Sequence, residues 1–118
     1  MVLTEGSLEI SEEKARGILI LHVKGRLDAL SSPKAEKIVF GCINDGHHKL
    51  LLDFSQMEYL SSAGMRMLLS TSKKLKSSTG KLVLCAVTPN VMDVLKMSGF
   101  DRVLEIAKSQ EEALPHFN

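Results

Sequence analysis

The amino-acid sequence predicts an α/β fold: one domain with a mainly parallel sheet of four or five strands and about four helices. Short apolar runs, typical of buried strands, alternate with segments of helical periodicity. Residues that favour helix starts follow several of these runs. The length of 118 residues and the hydrophobic content of 44% suit one domain with a sizeable core, so residues 1–118 are assigned to a single domain.

The chain begins with two predicted strands. Residues 7–11 alternate polar and apolar side chains, as a half-exposed strand does. Residues 12–17 are polar and predict a turn. Residues 18–23 are almost entirely apolar and predict a strand in the middle of the sheet.

The first helix is predicted from Ser32, as N-cap, with Pro33 at its first position. Asn44-Asp45-Gly46 should end it. Apolar residues between these signals have the spacing of one helical face: Ala35, Ile38, Val39, Cys42 and Ile43.

A second strand–helix unit follows. Residues 49–53 contain three consecutive leucines, which suits a strand buried on both faces. An amphipathic helix should start at the Ser61-Ser62 turn and end at Thr79-Gly80, because glycine is common just past a helix. Met65 falls in phase with its apolar stripe, whereas Met67 falls out of phase and is expected to be exposed.

The last third of the chain predicts two more strand–helix units. Residues 82–87 form an apolar strand, and Thr88-Pro89 starts a short helix. Residues 103–106 predict a last short strand. Ser109 begins a capping box, so a terminal helix should run to about His116.

Composition excludes several function classes. Fifteen Lys and Arg against fourteen Asp and Glu leave a formal charge of +1, which gives no electrostatic footprint for nucleic acid. No apolar run approaches the roughly 20 residues that cross a bilayer, and no signal peptide is recognisable, so no membrane insertion is expected. Cys42 and Cys85 lie among apolar residues and are read as reduced packing residues of a cytoplasmic protein.

Neither metal nor cofactor chemistry is predicted. His47 and His48 are adjacent, so on a strand they would point to opposite faces and chelate one ion poorly. No third ligand is close in sequence. A serine hydrolase is disfavoured because the Ser61-Ser62 turn lacks the Gly-x-Ser-x-Gly elbow. We therefore expect no catalytic residue, no metal and no cofactor.

The Ser61-Ser62 turn is the most informative feature for function. A serine at a helix start is either an N-cap or a place where a phosphoryl group can be attached, and local pattern alone leaves both open. In parallel sheets, functional groups gather at the carboxyl ends of strands. The loops over residues 54–62 and 25–32 leave such ends, which could bring Asp28 near the serines.

These residues resemble the signature of the STAS domain, as found in bacterial anti-sigma factor antagonists. Asp53-Phe54-Ser55 resembles the end of the signature strand, Tyr59 its aromatic residue and Gly64 its first glycine. Ser62 falls on the serine that is phosphorylated in those proteins. The Gly25-Arg26-Leu27-Asp28 segment is similar to the family's Gly-x-Leu-Asp.

Three positions depart from the family pattern. Ser61 stands where an acidic residue usually precedes the regulated serine. Ala63 stands where Ser or Thr usually follows it, and Arg66 replaces the second glycine. Ser61 is therefore a second candidate acceptor after Ser62, and Arg66 a candidate for holding a phosphate.

The resemblance implies an interaction module without catalytic activity. Its unphosphorylated form would bind an anti-sigma factor serine kinase, phosphorylation of Ser62 would release it, and a PP2C-like serine phosphatase would restore it. Asp28 and Gly64 would support the phosphorylation site, and Ala63, Arg66 and Met67 would form part of the partner interface. The alternative is a constitutive STAS scaffold, a subunit of a membrane transporter or signalling complex that is not phosphorylated.

Overall fold

The computed structural model describes residues 2–118, without the side chains of residues 2, 3 and 5. Its strands are β1 (Val2–Glu5), β2 (Leu8–Ala15), β3 (Ile18–Leu27), β4 (Lys49–Asp53), β5 (Met57–Leu60), β6 (Lys81–Cys85) and β7 (Glu105–Ala107). Its helices are α1 (Ser32–Asn44), α2 (Ser62–Ser77), α3 (Pro89–Met97) and α4 (Gln110–Ala113). None of these helices is long and apolar enough to cross a membrane.

The predicted α/β class with a mainly parallel sheet is confirmed. Six strands run in the order β1-β2-β3-β4-β6-β7, and β5 pairs separately with β3. The pairs β1/β2 and β2/β3 are antiparallel, and all the others are parallel. Two strands, β1 and β5, were not predicted.

The helices cover the sheet unequally. Helices α1, α2 and α3 pack on one face, against the side chains of alternate strand residues such as Leu21, Leu52 and Leu84. The shorter α4 packs on the other face, against Leu51 and Val83. Residues 50–52 are thus buried on both faces, as their unbroken apolar run predicts.

The β2–β3 hairpin is longer than predicted. Residues 12–15 belong to β2, and only Arg16 and Gly17 form the turn, both with positive φ (56° and 78°). This is the backbone twist that two-residue hairpins favour. Three consecutive polar residues, Glu12, Glu13 and Lys14, conceal this end of the strand in the sequence, because an apolar alternation is absent where neither face is buried.

Strand β3 is long enough to pair with two strands on the same side. Its residues 19–22 pair with β4, and residues 25–27 pair with β5. The register of the β3/β5 pair shifts between Gly25 and Arg26. Gly25 has a φ of +102°, and a Cβ there would collide with the carbonyl oxygen of Ser7. The segment predicted as a loop after β4 therefore returns to the sheet as β5.

Two details of the helix starts differ from prediction. Ser31, not Ser32, is the N-cap residue of α1, and the Ser32 N–H donates to the carbonyl oxygen of Asp28 at 2.9 Å. The first turn of α1 thus continues a turn that starts at Asp28. Thr88 lies at the N-cap position of α3 but makes no capping hydrogen bond, whereas Ser109 accepts one from the Glu112 N–H at 3.1 Å, as predicted.

Candidate functional site

The start of α2 is attached to the end of β3. The carbonyl oxygen of Leu27 accepts hydrogen bonds from both the N–H and the hydroxyl of Ser61, each at 2.9 Å. These bonds join residues 34 positions apart, at the edge where β3 and β5 end. The two loops that the topology pointed to are therefore in contact.

The two serines of the turn have different environments. Ser61 is the N-cap, and its half-buried hydroxyl accepts a hydrogen bond from the Gly64 N–H at 3.1 Å besides donating to Leu27. Ser62 is the first residue of α2 and is exposed, and its hydroxyl makes no hydrogen bond to any part of the chain that the structure describes. A helix N-terminus carries partial positive charge, which favours an anion on Ser62. The geometry makes Ser61 a structural cap and leaves the Ser62 hydroxyl exposed.

Gly64 allows α2 to approach the sheet. A methyl group at this position would lie 2.7 Å from Leu60 Cδ1 and 2.9 Å from the carbonyl oxygen of Leu27. The latter atom is fixed by its two bonds to Ser61, so it has little freedom to yield. The glycine supports the candidate site by permitting close packing rather than by an unusual backbone angle.

Asp28 organises the loop between β3 and α1. Its Oδ1 accepts hydrogen bonds from the N–H groups of Leu30 and Ser31, at 3.0 and 2.9 Å. The Ser31 N–H, more than any other group, holds the pKa of the Asp28 carboxyl below its ordinary value, so it carries negative charge at neutral pH. Asp28 lies next to Leu27 and hence beside the start of α2, but within residues 2–118 it makes no hydrogen bond to either serine.

The predicted interface residues line a groove between α1 and α2. Ala63, Arg66 and Met67 form the α2 side of this groove, which has a volume of about 380 Å³. The α1 side consists of five residues: Ser32, Pro33, Glu36, Lys37 and Phe40. Arg66 is exposed.

The expectation that Met67 is exposed is wrong. Its side chain is only 4% exposed and packs in the core, whereas Met65 is partly buried at the edge of that core. The helix has its core on one side and α1 on a second, so its buried surface is wider than the stripe that the period predicts. Met67 lies at the floor of the groove instead of on an outer surface.

Known proteins are similar to this chain in both sequence and fold. Residues 9–113 match the STAS domain. The chain belongs to the STAS domain family. The resemblance inferred from the Ser61-Ser62 turn and its surroundings is thereby confirmed for nearly the whole chain.

Several relatives of this STAS domain are named anti-sigma factor antagonists. It is 31% identical over 110 residues to BtrV of Bordetella bronchiseptica, an anti-sigma factor antagonist by name, covering 93% of this chain and 95% of that protein. It is 27% identical to the anti-sigma F factor antagonist of Paenibacillus polymyxa, covering 92% and 93%. A crystal structure of an anti-sigma factor antagonist from Mycobacterium paratuberculosis superposes with a TM-score of 0.85 at 25% identity, covering 98% of each chain. These names are those of regulatory binding proteins, not of enzymes.

Sequence reasoning missed an exposed patch beside the serines of this STAS domain. The Arg26 guanidinium lies 4.3 Å from the centre of the Tyr59 ring, and these residues are register partners of β3 and β5. Leu30 is 81% exposed, although its N–H is held by Asp28. Leu30 thus presents an exposed apolar side chain in the loop that contacts the start of α2. The position of Leu30 in a turn could have suggested exposure, but its neighbours could not be read from sequence.

Asp53 of the signature lies away from the serines, on the sheet face that α4 covers. Its Oδ1 accepts from the Ser55 N–H at 2.8 Å, and its Oδ2 accepts from Gln110 Nε2 at 2.8 Å and lies 3.5 Å from His22 Nδ1. Burial alone would raise the pKa of Asp53, but these donors and His22 outweigh it, so the pKa is lowered. This carboxylate is structural, because it ties β4 to α4.

No group of three or more His, Cys, Asp or Glu side chains within the described residues is arranged to hold a metal ion. Two ionisable side chains are neighbours on the sheet face that α4 covers. Cys85 is a neighbour of Asp53 there, and burial, with the charge of Asp53, raises the pKa of its thiol to about 12. Both Cys85 and Cys42 are free and buried, as predicted for packing residues.

Proposed function

We propose that this chain is an anti-sigma factor antagonist that binds an anti-sigma factor serine kinase while Ser62 is unmodified and leaves it when Ser62 is phosphorylated. The observation that carries the proposal is the difference between the two serines of the turn. The Ser61 hydroxyl is hydrogen-bonded as the N-cap, whereas Ser62 presents a hydroxyl without a hydrogen bond at the helix start. The names of the relatives support the class of partner.

The reaction would be catalysed by the kinase, not by this chain. The Ser62 oxygen forms a bond to the γ-phosphorus of ATP, the bond to the β,γ-bridging oxygen breaks, and ADP leaves. The hydroxyl proton passes to a base of the kinase. A serine phosphatase of the PP2C-like kind would later hydrolyse the phosphoserine with water, releasing inorganic phosphate and restoring Ser62. These exchanges would take place in the cytoplasm, and residues 1–118 would act as one STAS domain without a cofactor.

The surface around Ser62 is suited to contact a partner. Arg66 is exposed one helical turn from the serine on α2, and Leu30, in the loop that contacts the start of α2, adds an exposed apolar side chain. A phosphoserine adds a charge of about −1.5 to −2 at pH 7. Inside a contact surface that charge must lose water, which costs far more than it does in solvent, so the modification would break the complex.

Phosphorylation assays with matched variants test this proposal. The purified chain is incubated with ATP and a candidate anti-sigma factor kinase, and the modified residue is mapped by mass spectrometry. Ser61→Asn keeps a good cap but removes one hydroxyl, so it should still be phosphorylated at position 62. Ser62→Ala should not be phosphorylated, yet should bind the kinase as tightly as the unmodified chain.

Kinase binding by a variant with a negative charge at position 62 gives the complementary test. Ser62→Asp should weaken kinase binding at least tenfold, measured by isothermal titration calorimetry. No phosphate on either serine, together with equal binding of Ser62→Ala and Ser62→Asp, would overturn the switch. Co-purification with a transporter under those conditions would instead favour the scaffold alternative.

A further inference from the structure

Two cations of the α1–α2 groove have no ionic partner. Arg66 on α2 and Lys37 on α1 are both exposed and line the groove. Neither takes part in an ion pair with any side chain that the structure describes. Each is therefore available to bind an anion without first giving up a bond.

Ser62 and Arg66 occupy neighbouring positions on the surface of α2. Residues four apart on a helix lie one above the other on the same face, about 5–6 Å apart at Cβ. An anion N-terminal to a cation at this spacing is the favourable order, since it also suits the helix dipole. The guanidinium fork matches the geometry of phosphate oxygens and forms paired hydrogen bonds to them.

The groove also contains an unused hydrogen-bond donor. The hydroxyl of Ser32, at the start of α1, is buried and is the one buried side-chain oxygen or nitrogen without a hydrogen-bond partner in the described chain. Ser32 lines the groove together with Arg66 and Lys37. Buried polar groups are normally satisfied, so an orphaned hydroxyl here points to a polar occupant.

We infer that Arg66 and Lys37 form a receiving site for the phosphoryl group on Ser62. This inference rests on the proposed phosphorylation and specifies what the modified chain does with the new charge. Arg66 turns toward the phosphate and pairs with it, and Lys37 contributes a second positive charge from α1. The modification then alters two features of the contact surface at once, because it adds a phosphate and removes the Arg66 side chain from its place in the groove.

Two acidic groups nearby oppose this site. Glu36 lines the same groove, and the ionised Asp28 lies in the loop that contacts the start of α2. Their negative charges repel the phosphate and favour its singly charged form. Arg66 and Lys37 favour the doubly charged form and lower the second pKa of the phosphate. The measured pKa therefore shows whether the two cations or the two acidic groups lie closer to the phosphate.

The test uses the full chain with phosphoserine incorporated at position 62 during translation, so that no kinase is needed. The second pKa of the phosphate, about 6 for free phosphoserine, is measured by phosphorus NMR titration. We expect Arg66→Gln to raise this pKa by roughly 0.3 to 0.5 unit relative to the phosphorylated chain that keeps Arg66. With Arg66→Lys the pKa should stay close to that of the chain with Arg66. Lys37→Gln should raise it by a smaller amount.

A distant cation on the same helix serves as the control. Lys73 is exposed and lies 11 residues from Ser62, roughly 16 Å along the axis, beyond the screening length at physiological salt. Lys73→Gln should leave the phosphate pKa unchanged. Equal pKa values with and without Arg66, or a shift with Lys73→Gln as large as that with Arg66→Gln, would overturn the receiving site. An unchanged value with Lys37→Gln would overturn the part assigned to Lys37. The titration succeeds or fails whether or not a kinase modifies Ser62, so it is separable from the phosphorylation assay.

Discussion

At the scale of single residues, the candidate site depends on a difference between two adjacent serines. The Ser61 hydroxyl both donates and accepts, and each of its bonds holds backbone that α2 needs. Ser62 has the same chemistry but lies one position further, where the helix already supplies the backbone geometry and the side chain faces water. One hydroxyl stabilises the fold, and its neighbour is exposed at the position where we propose phosphorylation.

This difference predicts unequal costs of alanine substitution. Ser61→Ala removes the cap and one bond to Leu27, so it should lower the free energy of unfolding by about 1 kcal/mol, up to about 2. Ser62→Ala should change it by less than about 0.5 kcal/mol. Urea unfolding followed by circular dichroism measures both. Equal losses for the two variants would show that the cap is not where the structure places it.

Gly64→Ala gives a second comparison at this scale. Alanine is favoured over glycine in a helix by about 1 kcal/mol, but here its methyl group would collide with Leu60 and with the Leu27 carbonyl. We expect a net destabilisation of about 1–3 kcal/mol, the usual cost of overpacking. Gly41→Ala in α1 is the matched control, since nothing lies within 4 Å of the added methyl, and it should stabilise by about 0.5–1 kcal/mol. A stabilising Gly64→Ala in the same urea assay would contradict the close approach.

At the scale of elements, the position of the site follows from the unequal lengths of β3 and β4. β3 has ten residues and β4 has five, so β3 extends past the end of β4 and pairs there with β5. This second pairing brings Leu60 opposite Leu27 and delivers Ser61 to its bonding partner. At the end of β4, Asp53 ties the strand to α4 through Gln110. Both connections are made where the chain turns from strand to loop.

The Asp53 connection predicts a dependence of stability on pH. Its folded-state pKa is lowered from the ordinary 3.8, so its ionised form stabilises the fold above that pH, and the stabilisation is lost as pH falls below it. Asp53→Asn should be less stable at pH 7 by about 1–2 kcal/mol, because it loses a charged acceptor. Its free energy of unfolding should then fall less steeply below pH 4. Gln110→Ala should give an intermediate slope, and parallel curves for all three proteins would contradict the role of Asp53.

At the scale of the whole molecule, the candidate site lies on only one of the two faces of the sheet. Helices α1 to α3 cover one face and create the groove and the start of α2, whereas α4 closes the other face far from Ser62. The side of α2 that faces the sheet carries fully buried leucines, Leu68 and Leu75. A change at Ser62 therefore alters the outer surface of the molecule and leaves its packing untouched.

Phosphorylation should accordingly change the surface without unfolding the protein. A charge at the first residue of α2 interacts with the helix dipole by about 0.3–1 kcal/mol, and no buried contact is broken. Phosphoserine at position 62 should shift the free energy of unfolding by less than about 1 kcal/mol. Amide NMR shifts should change only in the first turns of α2, in the loop around Leu30 and in α1 near Lys37. A loss of several kcal/mol, or shifts spread through the α4 face, would point to a switch in fold.

The sequence by itself determined the α/β class, the order of the four helices and of five of the seven strands, the STAS signature and Ser62 as the candidate acceptor. These features could be predicted because helical period, apolar runs, capping residues and motif spacing depend on residues that are close together in the sequence. Only the tertiary structure decided that residues 57–60 form β5, that Met67 is buried, and that Ser61 is bonded to a carbonyl 34 positions away. Each of these depends on which distant residue lies opposite, and local periodicity carries no information about that. The same reason separates the roles of Ser61 and Ser62, since their sequence context is shared and their surroundings are not.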